Sequence, residues 1–136
     1  MLVRIETRKG GFVKAGGGAR PDFVSPLPCP FNYGSVPGTV AEDGEPMDAL
    51  VLGPRLAVGE LCRRTVLGIV AFQDAGKRDD KLVCGTGPEL AGAAARLSIR
   101  AFFWVYAAAK VCLNRLRGQR GRTRFEGLRV FPRRAP

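Results

Sequence analysis

At 136 residues the chain has the size of one domain, since soluble domains most often run to about 100–150 residues. Its 46% hydrophobic content suffices for a packed core and argues against wholesale disorder, and the complete lack of histidine excludes histidine triads and histidine acid–base chemistry. The net charge of +10 is unevenly spread: residues 1–95 carry 11 basic and 11 acidic side chains, whereas residues 96–136 carry 11 basic ones against Glu126 alone.

Val3 to Glu6 alternates apolar and polar residues, as a half-buried strand does. Arg8 to Gly18 reads as a loop, with glycines at 10, 11, 16, 17 and 18 around Phe12-Val13-Lys14. Prolines at 21, 26, 28 and 30 predict an extended, irregular path up to Phe31-Asn32-Tyr33-Gly34. Thr39 to Glu45 is a predicted turn, and Met47 to Leu52 a short buried strand. Leu61 to Phe72 is rich in apolar and β-branched residues and predicts one long strand. A polar turn (Gln73 to Asp80) leads to a strand over Lys81 to Cys84. Pro88 is placed to open a helix running through the alanine-rich stretch to about Leu116, and Thr123 to Val130 is compatible with a last strand. Several short strands and then one helix predict a mainly β (α+β) fold: a small β-barrel with one C-terminal helix packed on it. No internal repeat divides the chain, so residues 1–136 read as a single domain with a basic C-terminal segment at 115–136.

No stretch approaches the roughly 20 apolar residues of a membrane span, and the N-terminus lacks the pattern of a signal peptide, which predicts a cytoplasmic protein. Cys29, Cys62, Cys84 and Cys112 form no CxxC pair, so reduced, mostly buried thiols are a better reading than a zinc site. The basic segment invites a polyanion-binding reading, but it has few aromatics for base stacking and matches no nucleic-acid motif. Gly16-Gly17-Gly18 and Gly85-Thr86-Gly87 lack the P-loop pattern and carry no phosphate-binding argument.

Two acidic turns carry the chemistry. Asp43, Glu45 and Asp48 lie on one Gly-Pro-bearing loop, and Asp74, Asp79 and Asp80 on another. Together they hold half of the chain's 12 acids. Hard divalent cations take oxygen ligands, and carboxylates from separate loops converge on them; solvated turn residues are the alternative for either loop alone. The EF-hand spacing is absent.

The order of motifs resembles the soluble family I inorganic pyrophosphatases. The likeness runs through Pro30-Phe31-Asn32-Tyr33-Gly34, Val36-Pro37-Gly38-Thr39 and Glu42-Asp43-Gly44-Glu45-Pro46-Met47-Asp48, then Val66-Leu67-Gly68-Ile69-Val70, Asp74 and Asp79-Asp80-Lys81-Leu82-Val83. It is close from about Ser25 to Gly85 and looser at Val3 to Lys14, Phe102 to Tyr106 and Phe125-Glu126-Gly127. The resemblance implies a five-stranded OB-like barrel, Mg²⁺ as cofactor, hydrolysis of inorganic diphosphate, and association into a homo-oligomer. By position, Asp43, Asp48, Asp74 and Asp79 would hold metal, and Lys14, Tyr33, Lys81 and Tyr106, with Glu6 and Arg20, would serve the substrate. Glu45 falls where the family places the aspartate that positions and deprotonates the attacking water.

Departures from the family pattern gather at the same place. Glu45 is one methylene longer than aspartate, and Ala75, Gly16, Cys29 and Ala107 stand where the family has glutamate, glutamate, tyrosine and lysine. A displacement of about 1 Å can cost about 10²-fold in rate, so weakened turnover is expected. A homologue that binds Mg²⁺ and phosphate or diphosphate without fast turnover is the main alternative.

Overall fold

The computed structural model describes residues 1–15, 23–42 and 44–132. In chain order the strands are β1 (Leu2–Thr7), β2 (Phe12–Ala15), β3 (Phe23–Pro28), β4 (Asn32–Ser35), β5 (Asp48–Val51), β6 (Leu61–Arg63), β7 (Thr65–Asp74), β8 (Lys77–Arg78) and β9 (Lys81–Gly85). Helix α1 (Ala93–Leu116) and strand β10 (Arg124–Val130) follow. Among the described residues an eight-stranded sheet runs in the order β10-β7-β9-β5-β4-β1-β6, with β8 beside β7, while β2 and β3 form a separate ribbon. The fold is mainly β with one packed helix, as predicted, in an OB-like arrangement; its main sheet has eight strands rather than five and ends at β10 and β6.

Three local expectations change. The stretch read as one strand from Leu61 splits at Arg64, because β6 pairs with β1 whereas β7 pairs with β9 and β10. Phe12-Val13-Lys14, read as loop, is strand β2, paired with the proline-bearing β3. The Ser25 hydroxyl accepts the Val13 N–H at 2.9 Å and fixes that ribbon, which edge-type pairing allows despite Pro26 and Pro28. Pro88 opens a short 3₁₀ turn (Pro88–Leu90) instead of the long helix, and the extended Gly92 caps α1 from Ala93.

Strand alternation sorts side chains onto two faces. Leu50 and Leu52 join Phe31, Phe72 and Val83 in the larger core, while Ala49 and Val51 join Val3, Ile5 and Val36 in the smaller one. Helix α1 covers the larger core with Ile99, Phe102, Phe103, Tyr106 and Ala107, the i, i+3, i+4 spacing of one helical face. Its rings interlock: Tyr106 meets Phe23 edge-on at 4.9 Å and Phe72 at 5.7 Å. This packing brings Tyr106 and the helix turns beyond it to the ends of β5, β7 and β9, where the acidic turns lie. No helix among the described residues is long and apolar enough to cross a membrane.

Candidate active site

The two acidic turns meet in space. The Arg78 N–H donates to Glu42 Oε2 at 2.7 Å, joining the turn before β5 to the one after β7. Between them opens a cavity of about 630 Å³. Its lining includes Glu6, Lys14, Tyr33, Glu45, Asp48, Asp74, Asp79 and Tyr106. Eight of the residues expected from the sequence therefore share one space, drawn from β1, β2, β4, β5, β7, α1 and two turns. Asp43 and Arg20 lie outside the described residues, as does Gly16.

Lys81 sits at the start of β9, beneath this cavity, with no exposed side-chain surface. Its ammonium lies 2.9 Å from both Asp48 Oδ2 and Asp79 Oδ2, with the Phe72 ring centroid at 5.4 Å. A buried cation survives only when paired, and two carboxylates meet that need. Burial alone favours the neutral amine, yet Asp48 and Asp79 outweigh it and hold the Lys81 pKa above its ordinary value. Lys81 thus orients two candidate metal ligands from below. The Tyr33 hydroxyl adds a donor to Asp48 Oδ2 at 2.9 Å. Burial raises the Tyr33 and Tyr106 phenols, so both remain protonated donors. Burial likewise raises the Asp79 carboxyl, with Lys81 pulling the other way.

Asp74 has a different set of partners. The Lys110 ammonium donates to Asp74 Oδ2, and Asn114 Nδ2 donates to Asp74 Oδ1 at 3.0 Å. The Thr123 hydroxyl also reaches Asp74 Oδ1, at 3.3 Å, and accepts the Ala75 N–H at 2.9 Å. Burial opposes ionisation of Asp74, but these bonds, led by Lys110, hold its carboxyl below the usual carboxylate range. Lys110 and Asn114, both lining the cavity, went unnoticed in the sequence. The signal was there: Tyr106, Lys110 and Asn114 recur every four residues and so share one face of α1.

Several departures acquire a physical account. Ala107 is buried against the core, one helical turn before Lys110. Cys29 is fully buried, its thiol pushed up to about 12 by that burial, so it is an inert core thiol. Ala75 occupies the left-handed region at φ 50, beside Gly76 at φ 86, in the two-residue turn closing the β7–β8 hairpin. Such a turn needs positive φ at both positions. Asp80 is structural: its Oδ1 accepts the Phe72 N–H at 2.9 Å and the Arg78 guanidinium at 2.6 Å.

The donor chemistry suits a hard divalent cation. No group of three Asp, Glu or Cys side chains among the described residues is gathered tightly enough to cage one ion. Mg²⁺ does not require such a cage, because it keeps several waters and commonly binds through one or two carboxylates plus substrate phosphates. Asp48, Asp74 and Asp79, taken one or two to an ion, fit that mode.

Comparison with known proteins points the same way. The inorganic pyrophosphatase family model matches residues 16–87, more than half of the chain. An inorganic pyrophosphatase of Gluconobacter oxydans is 41% identical over 63 residues, which is 46% of this chain and 36% of that protein. A soluble inorganic pyrophosphatase of Oryza sativa subsp. indica is 42% identical over 70 residues, 49% of this chain and 33% of its own length. The aligned stretch thus spans about a third of the length of these curated relatives. The fold likeness reaches further: the crystal structure of inorganic pyrophosphatase from Thermus thermophilus matches with a TM-score of 0.70 at 25% identity, covering 95% of this chain and 81% of that one. The family model matches the very segment that supplies Asp48, Asp74, Asp79 and Lys81, and the kinship follows: this chain belongs to the inorganic pyrophosphatase family.

Proposed function

We propose that the chain hydrolyses inorganic diphosphate to two phosphates, with Mg²⁺ as its cation. The observation that carries the reading is convergence: Asp48 on one side, and Asp74 and Asp79 on the other, share a cavity with Lys14 and Tyr106. In the reaction a water oxygen bonds to one phosphorus, the bridging P–O bond breaks, and two phosphates leave. Divalent cations, each held by one or two of Asp48, Asp74 and Asp79, would supply Lewis acidity and charge for phosphate oxygens. Glu45 takes the proton of the attacking water on its carboxylate. Lys14 neutralises charge on the departing phosphate, and the buried phenol of Tyr106 donates a hydrogen bond to it. Tyr33, engaged with Asp48, serves the substrate through that carboxylate's orientation, and Lys81 keeps Asp48 and Asp79 in place. Glu6 is set at the cavity rim by the Ser35 hydroxyl at 2.7 Å. Homo-oligomer formation and a cytoplasmic location belong to the same reading and rest on the family likeness.

One observation favours a second reading, a homologue that binds cation and phosphate with little turnover. Asp74 has both oxygens engaged by protein donors, and the residues at 29, 75 and 107 provide no charged or phenolic group. Phosphate release from diphosphate, measured across a Mg²⁺ titration, separates the two. Turnover is expected to depend on Mg²⁺ and to fall about 100-fold or more in Asp48→Ala. A folded protein that binds Mn²⁺ and phosphate but releases none above background supports the second reading instead.

A further inference from the structure

Lys110 stands at the junction of two facts already described: Asp74 is a candidate cation ligand, and an ammonium already occupies it. Lys110 keeps only 12% of its side chain exposed and Asp74 23%. The ammonium also lies 5.6 Å from the Phe23 ring centroid and 6.0 Å from that of Tyr106, so two aromatic faces help fix its place. Asn114 and Thr123 hold the other carboxylate oxygen and prevent Asp74 from simply turning away.

Position on the helix explains how the lysine arrives. Residue 107 points into the core and is alanine, whereas residue 110, three positions on, reaches the cavity beside Tyr106. A positive charge is therefore present on this helix, but it is spent on Asp74 rather than left to face the cavity alone. Asn114 and Thr123 engage Oδ1, so the lysine and a divalent cation compete for Oδ2, and their like charges disfavour sharing it.

We propose that Lys110 is a built-in competitor for the divalent cation at Asp74, an internal counter-ion that occupies this ligand until the metal displaces it. The inference rests on the metal reading of Asp74 given above. Displacement costs the protein a charge-assisted bond, and cation affinity falls by that amount. It also releases an ammonium into the cavity where the phosphates are expected, so metal and anion binding become coupled.

Mn²⁺ binding followed by electron paramagnetic resonance tests this without reference to turnover. Lys110→Gln is expected to bind Mn²⁺ about tenfold more tightly than the unaltered chain, within the usual range of such couplings. In an Asp74→Asn background the same substitution is expected to change nothing, because the contested ligand is gone. On the unaltered protein, amine methylation read by mass spectrometry offers a second measurement: Lys110 should react several-fold faster with saturating Mg²⁺. Equal or weaker Mn²⁺ affinity in a folded Lys110→Gln, or methylation of Lys110 unaffected by Mg²⁺ that demonstrably binds, overturns the inference and leaves the metal reading standing. No saturable Mn²⁺ binding to either protein overturns both.

Discussion

Lys81 keeps a full charge with no exposed side-chain surface, and its two carboxylate partners keep part of theirs open to the cavity. Removing it leaves Asp48 and Asp79 as unpaired neighbours on a largely buried floor. Lys81→Met is therefore expected to cost about 3 kcal/mol of stability, the lower end for breaking a buried pair because both carboxylates retain some solvent. Urea unfolding measures the loss, and a Lys81→Met protein as stable as the parent would show that the pairing is not structural. The order of motifs around Lys81 marks it as a candidate site residue. Local sequence does not tell a lysine that faces phosphate from one that lies under Asp48 and Asp79, because burial depends on Phe72 and Tyr106, which arrive from distant elements.

At the scale of elements, the β7–β8 hairpin carries Asp74 and is gripped by residues that follow α1. The Gly76 N–H donates to the Arg122 carbonyl at 2.9 Å, and the Ala75 N–H to the Thr123 hydroxyl at 2.9 Å. Gly121 makes this possible: a Cβ there would lie 2.4 Å from the Ala75 carbonyl carbon, and its φ of 104 disfavours any side chain. Gly121→Ala is expected to push the hairpin away and cost about 2 kcal/mol or more, read as a lower melting temperature and as loss of Mn²⁺ affinity at Asp74. An unchanged melting temperature would contradict the account. Strands β1, β5, β9 and β10 were legible because their alternation and apolar runs are local signals. The ribbon β2–β3 was not, since glycine and proline there speak for loop while the pairing is fixed by the Ser25 hydroxyl and by burial of Val13 and Phe23. Thr123 stayed hidden for the same kind of reason: it is an ordinary polar residue until a fold sets it beside a carboxylate 49 positions away.

For the molecule as a whole, the basic segment proves to be mostly structure rather than appendage. Arg115 and Leu116 close α1, and β10 pairs with β7 from Arg124 to Val130. Glu126, the lone acid of this segment, pairs with Arg78 at 2.5 Å and so with the acidic hairpin. Exposed Arg124 and Arg129 lie on a strand at the sheet's edge, where charge discourages pairing with another chain. A chain ending at residue 118 is expected to lose its cooperative thermal transition, since β7 would lose its outer partner and Asp74 its Thr123 bond. A truncated protein that melts cooperatively near the parent's temperature would refute this. The grip of residues 121–123 on the Asp74 turn also has a meaning for synthesis on the ribosome. The segment that matches the family emerges first, yet its hairpin waits for bonds from residues made some 36 to 49 positions later. During translation, then, one wall of the cavity stays unanchored after its own sequence is complete, until the helix and the turn behind it have been made.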